Sequence, residues 1–286
     1  MAQVTRNAEA MSSLPWAHLR LPPFPMVAMR VLQLVNKENA QLHQIAELIS
    51  SDPAFASEVL TVANSPVYAL HYPVNSIMQA VAVMGGNALQ GMCVTVGVRA
   101  YLGKSMAQPS MKTLWRHNLA CALLAQHLAA ASGLDKDTAY TAGILHDIGR
   151  AALAVIQPKE YSTLLAQHKG TPKSMMECER ELFGWDHCET GLELIKNWKL
   201  SEQFAVVIEH HHMEAESQAE WDLSQIVKIG CRMADAAGFP AFPGCECIPY
   251  ADLLAEVPVE VLEHLNPDVA ALTREIGEAI YHVEHV

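Results

Sequence analysis

The sequence predicts an all-α protein, and three observations carry that expectation. Apolar residues recur three, four and seven apart, strand-type alternation is nearly absent, and helix start and stop signals punctuate the chain at short intervals. Residues 1 to about 20 are polar and aperiodic, which reads as a frayed arm leading to the proline-marked entry L-P-P-F-P. Pro25 opens a helix over 26–35, and a second covers 42–49. Asp52 is placed to cap a helix over 54–63, with Pro53 in its first turn. Asn64-Ser65 reads as a turn between helices rather than a ligand contact. Ser76 caps 77–84, Gly85-Gly86 ends it, and 88–101 follows. The glycine-, proline- and polar-rich stretch 103–110 marks a subdomain boundary. A helical block runs over 111–238. The segment F-P-A-F-P-G-C-E-C-I-P-Y is too rich in proline for a long helix, and its Cys245-Glu246-Cys247 reads as a flexible surface loop rather than a metal clip. The tail 267–286 is amphipathic, able to pack on a second copy as readily as on its own chain.

Composition narrows the function classes. At 286 residues and 51% hydrophobic content the chain can bury a sizeable core. A net charge of −12, with no long Lys/Arg run, argues against nucleic-acid binding by bulk electrostatics. The seven cysteines include no C-x-x-C pair and mostly sit in apolar helical stretches, the usage expected of a reducing, cytoplasmic compartment. Neither a signal-peptide core nor an uninterrupted apolar run of about 18 residues is found, so no membrane span is expected.

The densest chemistry lies at 143–150, G-I-L-H-D-I-G-R. His146 and Asp147 stand together between apolar residues, and other candidate donors occur on faces directed inward. His117 is in register with Cys121, Leu124 and Leu128; His187 begins the stripe Gly191, Leu194, Trp198. His211 is in phase with Phe204 and Val207, His212 with Phe204 and Ile208, and Asp235 continues Val227 and Cys231. Leaving such groups buried and unpaired costs about 1–3 kcal/mol each, more for a carboxylate. One histidine on an apolar face is more often a hydrogen-bonded core residue than a ligand, but five positions on separate helices favour a shared cation. Imidazole with carboxylate suits a divalent transition metal: one or two ions of iron, manganese or zinc. His18, His43, His71, His127, His168, His264, His282 and His285 lack this context and read as surface or packing residues.

The ordered series His117, then L-H-D-I-G-R 29 residues after it, D-H-C-E-T-G-L-E-L-I-K-N-W-K-L, I-E-H-H-H and M-A-D-A-A-G resembles the HD superfamily of metal-dependent phosphohydrolases. Upstream, L-P-P-F-P-M-V-A-M-R-V-L, S-D-P-A-F-A-S-E-V-L-T-V-A-N-S and P-V-N-S-I-M-Q-A-V-A-V-M-G-G resemble the amino-terminal signature of its HDOD branch. The resemblance, over residues 14–240, implies an arm at 1–13, an amino-terminal helical subdomain at 14–103, an HD-like metal-binding subdomain at 111–240 and a loop and helical tail at 241–286. It implies that His117, His146, Asp147 and Asp235 hold one metal, and that Asp147 bridges to a second held by His187 and a histidine pair. Phase favours His211 and His212 for that pair, leaving His210 aside.

Two readings of function follow. The HDOD resemblance implies a signal-transduction or regulatory module with a protein partner. The HD resemblance implies a phosphohydrolase acting on a nucleotide or other small phosphate ester, with Asp147 catalytic; Arg150, one helical turn past His146, either joins it as a catalytic phosphate-binding group or pairs with a nearby carboxylate, and Lys112 and Arg116 near His117 are further cations. Arg150 stands where the related HD-GYP enzymes commonly carry lysine, and M-E-A-E-S replaces their G-Y-P element, which argues against cyclic di-GMP hydrolysis. The acidic surface and the added helical block favour regulation.

Overall fold

The structure is a computed structural model and describes residues 24–35, 41–65, 68, 70–213, 220–265 and 268–284. The expected arm, the L-P-P portion of the entry, His18, His285, the E-A-E-S portion of the stretch after the histidine run and the first residue of the tail lie outside the described residues.

Helices form where the capping chemistry places them. After α1 (Met26–Val35) and α2 (Leu42–Ser50), the Asp52 side chain accepts from the Ala54 and Phe55 amides and starts α3 (Pro53–Ala63) with proline in its first turn. Asn64 ends α3 by donating to the Leu60 and Val74 carbonyls and accepting from the Val74 amide, so its polar atoms serve the turn. Ser76 caps α4 (Ile77–Leu102). The expected stop at Gly85-Gly86 is instead a bend. Only Gly85 leaves helical geometry, at φ +78°, and the helix resumes at once because a residue without Cβ absorbs the change of direction alone. The stretch 77–107 is long and apolar enough to cross a membrane, but 67% of its most apolar window is buried inside the protein, so it is the central core helix.

A 3-10 turn, Gly103–Ala107, leads to the second block. Here α5 (Pro109–Ala131) lies against α6 (Lys136–Leu145), α8 (Pro158–Gln167) and α12 (Leu223–Ala236), while α7 (Ile148–Ile156) packs on α10 (His187–Trp198) and α10 on α11 (Glu202–His210); α9 (Pro172–Phe183) precedes α10. One continuous apolar core reaches from Phe24 to Val283 and joins both blocks; a smaller cluster of Met111, Tyr161, Met175, Phe183 and Phe242 lies beneath α8 and α9. Among the described residues there is no strand, and the 239–250 segment contributes one isolated bridge between Gly170 and Cys245.

After the short helices α13 (Tyr250–Leu254) and α14 (Val259–Leu262), the tail helix α15 (Val269–Glu284) seats its apolar stripe on its own chain. Leu272, Ile276, Ile280 and Val283 are buried, and Glu284 accepts three bonds from Arg116, at 2.6, 3.0 and 3.1 Å. Burying each apolar side chain contributes about 1.5–3 kcal/mol before ordering entropy, against at most about 1 kcal/mol for an exposed ion pair. Packing, not charge, seats this helix.

Candidate metal centre

The centre is built at the junction of α6 and α7. Gly143 and Gly149 flank the His146-Asp147 doublet, and each allows a neighbouring backbone to come close. A Cβ at Gly143 would meet the Ala122 Cα at 2.5 Å, and one at Gly149 would collide with the His187 carbonyl. α6 therefore lies tight on α5, and α7 tight on the start of α10. Asp147 occupies the N-cap position of α7, yet its side chain makes no capping hydrogen bond. An aspartate there ordinarily caps; this one turns into the interior. By contrast Asp186 makes a full capping box with Glu189 and pairs with Arg180, which fixes His187 as the first residue of α10.

Asp147 sits between two sets of imidazoles. Its Oδ1 lies 3.4 Å from His187 Nε2 and 3.3 Å from His211 Nε2, while Oδ2 lies 3.7 Å from His146 Nε2 and 3.9 Å from His117 Nε2. The remaining ring nitrogens identify the tautomers. His146 Nδ1 faces the Gly143 carbonyl at 2.6 Å, His211 Nδ1 the Ile208 carbonyl at 2.8 Å, His117 Nδ1 the Phe239 carbonyl at 2.9 Å and His187 Nδ1 the Glu179 carboxylate at 2.5 Å. Each acceptor requires Nδ1 to carry the proton, so in a neutral ring Nε2 presents a lone pair to the centre. Lone pairs facing a carboxylate repel unless a cation lies between them. Consistently, both Asp147 oxygens and Nε2 of His187, His211 and His212 are buried and accept or donate no hydrogen bond among the described residues. Donor atoms of Asp147, His187, His211 and His212 all lie within 4.8 Å of one another, and those of His117, His146 and Cys231 form a second such group. The cluster is able to bind a metal.

The electrostatics place positive charge around the Asp147 carboxylate: against the burial that opposes both, Cys231 and Asp235 push His117 up to about 10, and Glu179 holds His187 well above its usual range. Burial opposes ionisation of Asp147, but Arg150, His146 and His187 outweigh it and hold the carboxyl well below its usual range. Burial likewise opposes charge on His146, while the adjacent Asp147 pushes it up to about 9. His211 is held neutral by burial, at about 4. A neutral imidazole is the ligand form, so His211 is ready to bind while binding at His117, His146 and His187 would displace a proton from each ring.

One carboxylate that supports the centre escaped the sequence reading. Glu179 is fully buried; Oε2 accepts from His187 Nδ1 and the His187 amide at 2.9 Å, and Oε1 from the Tyr161 hydroxyl at 2.7 Å and Arg150 Nη1 at 3.2 Å. It orients His187 from behind, as partners of metal-binding histidines do. Its neighbours Glu177, Arg180 and Glu181 make the segment look like a solvated face, but Glu179 is in phase with buried Met175 and Phe183, and that was the available signal.

The other expected site residues fall as follows. Arg150 is fully buried, with Nε 2.9 Å from Asp147 Oδ2 and Nη1 bonded to Glu179, so it pairs with carboxylates. Arg116 is on an exposed face with Glu284 and Lys112 is exposed, so neither flanks the centre. His212 points its Nε2 inward beside His211, ring centroids 3.9 Å apart, while His210 is exposed. Asp235 reaches His117 from the other edge of the ring, Oδ1 3.3 Å from Nδ1, and also accepts from the Ala241 amide at 3.0 Å; it stands outside both groups of converging donors.

Fold and centre together define a class: an all-helical protein with an interior His/Asp cluster able to hold a divalent cation. The chain matches the HDOD domain family over residues 21–214 and belongs to that family. A curated relative, an uncharacterised protein of Treponema pallidum (strain Nichols), is 26% identical over 197 residues; the match covers 67% of this chain but only 37% of the relative's length. Among solved structures, an HDOD domain protein of unknown function from Geobacter sulfurreducens is 25% identical, with a TM-score of 0.69 over 99% of this chain and 96% of the other. A "Putative phosphohydrolase" from Shewanella amazonensis SB2B (22% identity, TM-score 0.68, covering 92% and 94%) and a "Putative signal transduction protein" from Marinobacter aquaeolei VT8 (20%, 0.70, covering 99% and 64%) share the fold.

Proposed function

We propose that this protein is an HDOD-type regulatory module of the reducing cytoplasm whose metal centre is structural, clamping α5, α6, α7, α10 and α11 so that a protein partner in a signalling pathway meets a fixed surface. The observation that carries this reading is closure. His117, His146, Asp147, Arg150 and His187 have no exposed surface and His211 is 1% exposed; among the converging donors only His212 is partly exposed. Structural metal sites are closed in this way, whereas catalytic ones keep an open position for water or substrate. A phosphate ester would also need cationic groups free to neutralise it, and Arg150 is committed to Asp147 and Glu179. The neighbours' names divide between the two readings: the Marinobacter protein is called a "Putative signal transduction protein" and the Shewanella one a "Putative phosphohydrolase". The cysteines of the described chain are unpaired thiols, in keeping with a reducing compartment.

His187, His211, His212 and Asp147 would hold one ion; His117 and His146, with the second oxygen of Asp147, would face another. Iron, manganese and zinc all suit this donor chemistry. A second reading, an active metal-dependent phosphohydrolase on a nucleotide or small phosphate ester, is favoured by one feature: Asp147 lies between two donor groups, as a bridging carboxylate does in two-metal hydrolases. When bound, such a pair supplies Lewis acidity and a water activated near neutral pH. In that reading Asp147 positions both ions and Arg150 holds Asp147 in place.

A phosphatase screen separates the two. Protein reconstituted with iron, manganese or zinc is assayed on phosphomonoesters, phosphodiesters and cyclic dinucleotides beside the Asp147→Ala variant. The regulatory reading expects bound metal and no turnover above the variant. Metal-dependent turnover that disappears in Asp147→Ala establishes the hydrolase.

A further inference from the structure

A cysteine lies against the His117–His146 pair. Cys231 lies on α12, buried, with Sγ 3.5 Å from His117 Nε2, and His117 Nε2 lies 3.3 Å from His146 Nε2. Both rings already give their Nδ1 protons to carbonyls, so two nitrogen lone pairs and one thiol converge. A single S–H proton cannot satisfy two acceptors that also face each other. One cation can bind all three.

We infer that Cys231 is a thiolate ligand of the centre, and that His117, His146 and Cys231 form a nitrogen–nitrogen–sulfur site selective for a zinc-class divalent cation, distinct from the harder site at Asp147, His187, His211 and His212. This rests on the metal reading above and deepens it by assigning a ligand and a metal class. Three things support it. Metal–nitrogen bonds of about 2.05 Å and a metal–sulfur bond of about 2.3 Å in a tetrahedron put the two nitrogens about 3.3 Å apart and nitrogen and sulfur about 3.6 Å apart. The observed separations are 3.3 and 3.5 Å. The thiol's neighbour on the same helix face, Asp235, one turn on, is turned to His117 Nδ1 and the Ala241 amide and so does not take this place. Finally, a soft thiolate favours zinc over magnesium, calcium or manganese, whereas three imidazoles with a carboxylate do not exclude manganese or iron. On binding, the Cys231 S–H proton is released to solvent and the thiolate lone pair forms the metal–sulfur bond, with no change of oxidation state.

X-ray absorption at the metal edge, with metal content, tests this on the full chain loaded with zinc. Wild type should show a sulfur scatterer at about 2.3 Å. Cys231→Ser should lose it and about half of the bound metal, while His187→Ala should lose metal but keep the sulfur signal. Cobalt substitution gives a second readout, a thiolate-to-cobalt charge-transfer band present in wild type and His187→Ala and absent in Cys231→Ser. If Cys231→Ser does not fold, the wild-type sulfur shell and cobalt band decide alone. Bound metal without sulfur in its shell overturns the Cys231 assignment and leaves the metal centre standing; a wild-type protein that takes up no metal overturns both.

Discussion

Asp147 concentrates the energetics of the centre. It is a buried anion whose compensation comes from Arg150 and, in the proposed reading, from a cation held by the imidazoles, so removing it leaves Arg150 as a buried charge with only Glu179 opposite. Breaking a buried pair from one side costs about 3–5 kcal/mol. Asp147→Ala should therefore lose bound metal and melt well below wild type; calorimetry with elemental analysis checks both, and an unchanged melting curve contradicts it. Glu179 sets a pH dependence. Burial raises its carboxyl, but His187 and Arg150 outweigh that and hold it at about 2, below its ordinary 4.5. Its folded value is depressed, so its contribution, up to about 3 kcal/mol by linkage, is present above pH 4.5 and lost as pH falls toward about 2. Glu179→Gln should melt lower than wild type at neutral pH, with the gap closing on acidification; melts across that range that keep a constant gap argue against it. Phase made His117, His187, His211 and Asp235 legible as inward-facing, but phase does not report which ring edge or which oxygen meets what. Hence the inward phase of Glu179 and Cys231 was readable, but what each side chain meets became visible only with side chains in place.

At the scale of elements, two glycines decide how deeply the doublet sits. Gly149 lets α7 touch the first turn of α10, where even a methyl group collides with the His187 carbonyl. Gly149→Ala must part these helices, separating Asp147 from His187; overpacking of this kind costs about 1–3 kcal/mol or more. The expected outcome is a lowered melting temperature together with weakened metal retention, read by thermal unfolding and by metal content after gel filtration. A variant that melts lower yet keeps its metal would show that the contact serves packing alone. Helix starts were readable because Asp52, Ser76 and Asp186 carry their own capping chemistry. The bend at Gly85 was not, since a glycine pair that can end a helix can equally turn it, and the neighbouring core selects between these.

For the whole molecule, closure has a kinetic consequence. Donors drawn from α5, α6, α7, α10 and α11, buried except for the partly exposed His212, would release a bound ion only when those helices part, so loss of metal should follow unfolding. Dialysis of the folded protein against a chelator should leave the ion in place, with release on heating coinciding with the melting transition. Rapid stripping of a protein that stays folded would point to an open site and favour the hydrolase. The continuous core from Phe24 to Val283 binds both helical blocks, and α15 closes on α5 of the same chain, a choice its amphipathic pattern left open.

The residue pattern alone determined the helical class, most helix starts, the inward orientation of the histidines and the HDOD kinship, because helical phase and capping are local properties that a short window of sequence contains. Tertiary structure decided which donors converge, that Asp235 stands behind His117 while Cys231 stands before it, that Arg150 pairs with carboxylates, and that every converging donor but His212 is buried. Those outcomes depend on how closely separate helices approach and how they are rotated about their axes, and packing between residues far apart in the chain sets both.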